Sequence, residues 1–156
     1  MGLSASSVQT IISEMDTNMS RFPTVKHVYA WLGLVPRNDI AGGKVLRSQT
    51  RKAVNRAAQA FRQAAQAVSR SDSAVGAYYR AMWARKGPQQ ATVATAHKIA
   101  RIVSHSLKYG EVYEAETAET YNRKRQEREL RQFKRHASIR GYTLTSMAPT
   151  TSGSAS

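Results

Sequence analysis

Apolar residues recur at intervals of three and four between Arg51 and Ser69, and this pattern most constrains how the chain can fold. The spacing places them on one side of an α-helix, which turns once every ~3.6 residues. The apolar side consists of Val54, Ala57, Ala58, Phe61, Ala65 and Val68. Because it is narrow and rich in alanine, a neighbouring helix can approach closely. The segment therefore predicts an amphipathic helix packed against other helices.

Glycine and proline divide the rest of the chain into further predicted helices. These are Ser6 to Met15, Val25 to Leu32, a helix capped by Ser71 or Ser73 that runs to Lys86, Gln89 to Tyr109, and Tyr113 to His136. Residues 33–50 are predicted as one Gly/Pro-rich loop, with a short extended piece at 44–46. Residues 143–156 lack periodicity and are expected to be disordered. We predict a mainly α fold, with a compact multi-helix domain over residues 1–142 and a long C-terminal helix.

Positive charge dominates the composition: 24 Lys plus Arg oppose 10 Asp plus Glu, a net charge of +14. Between Ile40 and Gly110 the only acid is Asp72, whereas the same span holds thirteen bases. Solvated surfaces normally mix both signs, so a block of one sign favours a surface that faces phosphates. An anionic membrane is a weaker partner, because no lipidation signal and no basic helix with a strongly apolar opposite face occurs. Nucleic acid is therefore the predicted partner.

Six bases that begin in the predicted loop and continue along the alanine-rich helix are the candidate nucleic-acid-binding residues. They are Lys44, Arg47, Arg51, Lys52, Arg56 and Arg62. A second basic cluster over residues 123–140 contains two glutamates, so it fits an ion-paired, solvated helix as well as a binding one. Tyr78, Tyr79 and Trp83 could stack on bases, but their helical spacing favours core packing.

Classical enzyme sites are not recognisable in the sequence. The chain has no cysteine, which excludes disulfides and thiolate metal sites. His97 and His105 are eight residues apart, too far for a His-x-x-x-His pair. The acids do not cluster as a carboxylate set, and Gly42-Gly43-Lys44 is too short for a Walker-type loop. No metal site is predicted, and without a signal peptide or an apolar span of ~20 residues we expect a soluble, cytoplasmic protein.

Four consecutive segments resemble, in the right order, the IS110 group of insertion-sequence transposases, and especially its eleven-eleven branch. They are RFPTVKHVYAWLGLVPRN (Arg21 to Asn38), GGKVLRSQTRKAVNRAAQAFRQAA (Gly42 to Ala65), SDSAVGAYYRAMWARKGPQQATVATAHKIARIV (Ser71 to Val103) and LKYGEVYEAE (Leu107 to Glu116). The resemblance covers about residues 2–142, all but the tail. In that family, an N-terminal RuvC-like domain with four metal-binding acids is joined to a C-terminal domain with a nucleophilic serine.

The resemblance implies a helical domain that binds a structured guide RNA and two DNA partners. The family serine would attack a phosphodiester and form a covalent link, while the acidic domain holds magnesium. That serine typically precedes the Gly-Gly-Lys of the loop, a position that Ala41 occupies here. A methyl group cannot attack phosphorus. Ser48 is a conceivable substitute, although nothing aligns it with the family role.

The RuvC-like region has no counterpart in this sequence, and Gly2-Leu3 resembles the middle of the family's sequence. We therefore expect a truncated transposase, located with the bacterial nucleoid, that binds nucleic acid but neither cuts nor rejoins DNA alone. Magnesium is expected only with the acidic domain. The expected partners are DNA, a structured guide RNA, and either further copies of the chain or the missing catalytic domain, which would cover exposed apolar surface. The alternatives are a non-catalytic DNA- or RNA-binding regulator and a generic basic protein that binds any polyanion.

Overall fold

Six α-helices and one β-hairpin make up the described part of the chain, residues 4–15, 19–50 and 55–146 of a computed structural model. The helices are α1 (Ala5–Met15), α2 (Val25–Trp31), α3 (Arg56–Ala67), α4 (Ala74–Lys86), α5 (Pro88–Tyr109) and α6 (Ala118–Ile139). The strands are β1 (Pro36–Ala41) and β2 (Lys44–Thr50). Single turns of 3-10 helix span Met19–Arg21 and Val68–Arg70. The predicted mainly α fold is confirmed.

The core forms where α3 packs against α1 and α5, and α5 also packs against α2 and α4. The alanine-rich side of α3 is buried as predicted, because every described member of it is at most 1% exposed. Val54, the remaining member, lies outside the described residues. On α1, Ile11 and Met15 are buried, whereas Val8 and Ile12 are exposed by more than a third. The core therefore covers only part of the apolar side predicted for α1.

Three helix boundaries follow the predicted chemistry closely. Ser73, rather than Ser71, caps α4, because its Oγ accepts a hydrogen bond from the Gly76 amide at 3.2 Å. Pro88 occupies the first turn of α5, where its missing N–H costs nothing. The helix ends at Gly110, whose φ of 69° is in the left-handed region that glycine adopts without strain.

The start of α6 differs from the prediction by five residues, Ala118 instead of Tyr113. The backbone of the preceding segment is instead held against the beginning of α4. The Ala74 amide donates to the Glu116 carbonyl at 2.9 Å, and Thr117 forms an isolated β-bridge with Ser73. These long-range bonds take up the backbone groups that a longer helix would have used. At the other end, α6 continues to Ile139, three residues past the predicted His136.

The predicted loop over residues 33–50 contains an antiparallel hairpin, and the short extended piece predicted at 44–46 is the beginning of β2. Gly42 and Gly43 form its two-residue turn with φ of 57° and 74°. Positive φ at both central residues is the requirement of a type I′ turn, which matches the twist of the flanking strands. The register shifts between Asp39 and Ile40, after which Ile40 is opposite Val45 and Ala41 is opposite Lys44.

The chain divides into two units, Met1–Tyr121 and Asn122–Ser156. The first unit contains the buried core, and the second contains most of α6. The predicted domain boundary at residue 142 stays a prediction. Of the tail predicted to be disordered, residues 147–156 lie outside the described part. No helix in the described residues is long and apolar enough to cross a membrane.

Candidate nucleic-acid interface

The hairpin begins directly beside the core. Gly33 follows α2 with a φ of 62°, which reverses the chain, and the Leu34 amide donates to the Tyr29 carbonyl at 3.0 Å. The side chains of Leu32 and Leu34 are 1% and 2% exposed. Two buried leucines on either side of a helix-terminating glycine therefore anchor the entry to β1.

Asn55 holds the exit of the hairpin. Its Oδ1 accepts a hydrogen bond from the Ala58 amide at 2.7 Å, which caps α3. Its Nδ2 donates to the carbonyl oxygen of Trp31 at 2.9 Å. One side chain thus joins the last residue of α2 to the first turn of α3 across 24 residues of sequence. The two helices that flank the hairpin are held together at its base.

The tip of the hairpin is open. Ala41 and Lys44 face each other as the last residue of β1 and the first of β2, and both are exposed. A Cβ atom placed on Gly42 or Gly43 would meet no other atom within 4 Å. The position that the resemblance assigns to a nucleophile therefore lies on an accessible turn. Ser48 lies four residues along β2 from Lys44, opposite Asn38, or about 13 Å from the tip at ~3.3 Å per residue.

The structure places the four described members of the predicted binding set on two elements rather than in one patch. Lys44 and Arg47 belong to β2, where the backbone register puts Arg47 opposite Asp39. Arg56 is the first residue of α3, and Arg62 is half-buried six residues later. At ~3.6 residues per turn, that separation puts the two arginines on different sides of the helix. Arg51 and Lys52 lie outside the described residues.

Of the four described members, Arg56 is the best placed to meet an anion. Its side chain is 82% exposed, and its Nε lies 4.0 Å from Oε1 of the half-buried Glu14, a long ion pair at the surface of the kind that contributes little. It also stands in the first turn of α3, where unpaired amides make the helix end electropositive. A phosphate near this turn would be attracted by both the guanidinium and the helix end.

A second basic region on the 3-10 turn and α4 did not enter the set of predicted binding residues. Its exposed bases are Arg70, Arg80, Arg85 and Lys86. Trp83 lies among them and is 51% exposed, so its predicted place in the core is wrong. Tyr79 is buried as predicted, and Tyr78 is half-buried. The sequence does carry a signal for this region, because Trp83 is three residues from both Arg80 and Lys86, a spacing that puts them near one another on a helix.

The histidines serve packing and surface contacts. The His97 ring stacks on Tyr29 with centroids 3.8 Å apart. Burial, reinforced by the nearby Arg101, lowers the pKa of His97, so its ring is neutral at neutral pH. His105 is exposed, with Nδ1 3.5 Å from Glu111 Oε2. Within residues 4–15, 19–50 and 55–146, no group of three or more potential ligands is arranged to hold a metal ion.

Comparison with known proteins connects these elements to a family. The model of the transposase IS116/IS110/IS902 family matches residues 1–80, which include the hairpin, α3 and the first half of α4. No curated protein and no solved structure matches the chain. The family match spans more than half of the 156 residues and contains both Ala41 and the Gly-Gly turn. This chain therefore belongs to the transposase IS116/IS110/IS902 family.

Proposed function

We propose that this chain is a nucleic-acid-binding domain of a transposase that contacts phosphates through the hairpin tip and α3 and does not break or join strands by itself. Its family membership gives it a role related to transposition. The observation that carries the proposal is the open hairpin tip. There Lys44 stands exposed beside the position of the family serine, with no neighbouring atoms around the Gly-Gly turn.

Charge on the described surface supports phosphate contact. Between Ile40 and Gly110, most bases with described side chains are exposed, namely Lys44, Arg56, Arg70, Arg80, Arg85, Lys86, Arg101 and Lys108. Asp72 is the only acid in that span. A surface of this kind attracts a polyanion over about a Debye length, ~10 Å at moderate salt. DNA is the proposed partner, and the family resemblance adds a structured guide RNA.

Ala41 is the reason that we propose no strand cleavage by the chain alone. The residue is exposed at the end of β1, next to the turn. A hydroxyl at this position would be accessible to a phosphodiester, whereas the alanine methyl group has no lone pair to donate. The exposed tip can therefore contact nucleic acid, but Ala41 offers no hydroxyl to attack a phosphodiester.

The charge contribution is testable by a salt series on duplex DNA. We expect Lys44→Gln and Arg56→Gln each to weaken binding and to reduce the slope of log K against log salt by about 1, since each neutralised phosphate contributes about 0.9. Lys26→Gln is the matched control, because Lys26 is an exposed base on α2, outside the one-sign block. Fluorescence anisotropy of labelled DNA measures both quantities.

Equal loss of slope in Lys26→Gln would show that only net charge matters, which is the generic polyanion hypothesis. Equal affinity for heparin, duplex DNA and a folded RNA would lead to the same conclusion. A preference for folded RNA that persists at higher salt would instead support binding of a structured guide.

The missing hydroxyl leads to a second prediction. Incubated with labelled DNA, magnesium and a separately supplied RuvC-like domain of the family, the chain with Ala41 should form no covalent adduct. Ala41→Ser should form one, because serine adds a single oxygen at an exposed position and fits the same backbone. A denaturing gel detects the adduct as a labelled band of reduced mobility.

An adduct formed with Ala41 intact would reveal another nucleophile and contradict the proposal. If Ala41→Ser also forms none, the non-catalytic alternative is favoured, a module that binds nucleic acid and competes with full-length transposase for it.

A further inference from the structure

An open groove lies beside Trp83 on α4. It has a volume of about 330 Å³ and is lined by Ser69, Tyr79, Arg80, Trp83 and Ala84. This volume is at the lower end of the ~300–1,000 Å³ range of small-ligand sites. A tryptophan is usually covered by protein because its large ring gains most from burial, yet Trp83 is 51% exposed.

The Trp83 indole packs against the buried ring of Tyr79. Tyr79 is 4% exposed, and its ring centroid lies 5.7 Å from that of Trp83 at an interplanar angle of 61°. The Tyr79 hydroxyl lies 3.4 Å from Thr92 Oγ1 on α5. The edge-to-face contact with an anchored tyrosine restricts Trp83 on one side. About half of the Trp83 surface stays exposed and is accessible to a ligand.

Arg80 is fixed at the rim of the same groove. Its Nη1 donates to the carbonyl oxygens of Ser69 and Ser71, at 2.8 Å and 3.0 Å. These bonds use the protons of one nitrogen, while the residue as a whole is exposed. A guanidinium held in this way is pre-organised, because part of its rotational freedom is already lost. It presents a planar cation that stacks on bases and donates to phosphate.

The charge around the groove favours an anionic aromatic ligand. None of the lining residues is acidic. Arg70 adjoins Ser69 in sequence, Lys86 follows Trp83 by one helical turn, and both are exposed. A cationic ligand would be repelled here, and an acidic peptide would not need an exposed indole. Exposed aromatic rings among basic side chains are typical of sites that stack successive bases of single-stranded nucleic acid.

We propose that Trp83 and Arg80 form a stacking site for an unpaired nucleotide of single-stranded DNA. The indole stacks on the base, and the guanidinium contacts the neighbouring phosphate. The choice of DNA rests on the proposed function, because a transposition-related role acts on DNA and strand exchange exposes unpaired bases. The site is separate from the duplex-binding residues proposed on the hairpin and α3.

The test compares the affinities of three labelled probes by fluorescence anisotropy: oligothymidylate, oligouridylate, and duplex DNA of the same length. Trp83→Ala should weaken oligothymidylate binding by about fivefold to a hundredfold, the usual effect of removing one stacking ring. Its affinity for duplex DNA should stay within about twofold of wild type. Trp83→Phe keeps a ring and should lose less than Trp83→Ala.

Phe133→Ala is the matched control, because Phe133 is a 65% exposed ring on α6 that does not line the groove. It should leave oligothymidylate binding unchanged. Intrinsic fluorescence gives an independent measurement. Oligothymidylate should quench the emission of the wild-type chain, and Trp83→Phe, which retains only Trp31, should lose most of that quenching.

Four results would overturn the stacking site: unchanged oligothymidylate affinity in Trp83→Ala, an equal loss in Phe133→Ala, no quenching in the wild-type chain, or tighter binding of oligouridylate than of oligothymidylate. The quenching experiment still tests the stacking site if Trp83→Ala does not fold, because it uses only the wild-type chain and Trp83→Phe. Failure of the proposed function is a different result, because the wild-type chain would then show no affinity for duplex DNA. Loss of the stacking site alone would leave duplex binding intact.

Discussion

Replacement of Gly76 by alanine is expected to lower the free energy of unfolding by about 3 kcal/mol or more, an effect at the upper end of overpacking substitutions. A Cβ atom at this position would lie 2.4 Å from the Ser71 carbonyl oxygen and 2.6 Å from that of Val68. Both contacts are with backbone, which cannot move aside as a flexible side chain can. To relieve them, α4 would have to move away from the preceding 3-10 turn and break the cap between Ser73 and Gly76.

Urea denaturation followed by circular dichroism measures this loss, with Gly110→Ala as the comparison. Gly110 also has a constrained backbone, with a φ of 69°, but a Cβ there would meet nothing within 4 Å. Its substitution should cost only the ~1–2 kcal/mol of a left-handed residue. If both variants lost the same amount of stability, steric contact at Gly76 would not be the cause.

Phe61→Ala is expected to lower the free energy of unfolding by about 3–5 kcal/mol, the usual range for removing a buried aromatic ring. Phe61 is 0% exposed, and it lies on α3, the helix that packs against both α1 and α5. Its loss would leave a cavity where these helices meet. The alanines that share its buried side of α3 are too short to fill it.

The same urea experiment tests Phe61, with Phe133→Ala as the control. Phe133 is 65% exposed, so its removal should change stability by less than ~0.5 kcal/mol. A loss in Phe61→Ala of below about 1 kcal/mol would mean that the helices collapse onto the vacant space. It would contradict the expectation that Phe61 fills space that its neighbours cannot.

The buried side of α3 was predictable because it depends on residues close together in the chain. A repeat of three and four residues specifies one side of a helix, and bulky Phe61 among alanines indicates which side is buried. Helix ends at Gly87-Pro88 and Gly110 were predictable for the same reason. Each follows from the backbone preferences of one or two residues.

The hairpin was harder to predict, because neither strand shows clear alternation of apolar and polar residues. Pro36–Ala41 reads PRNDIA, with its polar residues adjacent, and Lys44–Thr50 reads KVLRSQT, which is mostly polar. Pairing between them depends on the two positive φ angles at Gly42 and Gly43, which turn the chain back on itself. A Gly-Gly pair permits such a turn and also permits an irregular loop. The sequence alone did not distinguish the two.

Tertiary contacts decided the other differences. The backbone hydrogen bond from Ala74 to Glu116 holds the irregular segment that precedes α6. It joins residues 42 positions apart in the sequence. Trp83 shares helical spacing with Tyr79, yet only Tyr79 is covered by protein. Periodicity predicts which residues share a side of a helix. It does not predict how far a neighbouring helix extends over that side.

By itself, the sequence determined the helical class, the one-sign charge, the family, and the absence of a hydroxyl at Ala41. These are properties of composition and of residues near one another along the chain. Only the tertiary structure decided that Ala41 and Lys44 meet at an open tip, that Asn55 closes the base of the hairpin, and that Trp83 lies in a basic groove. Each of these depends on which distant segments pack together, and that is set by burial of the shared core rather than by local preference.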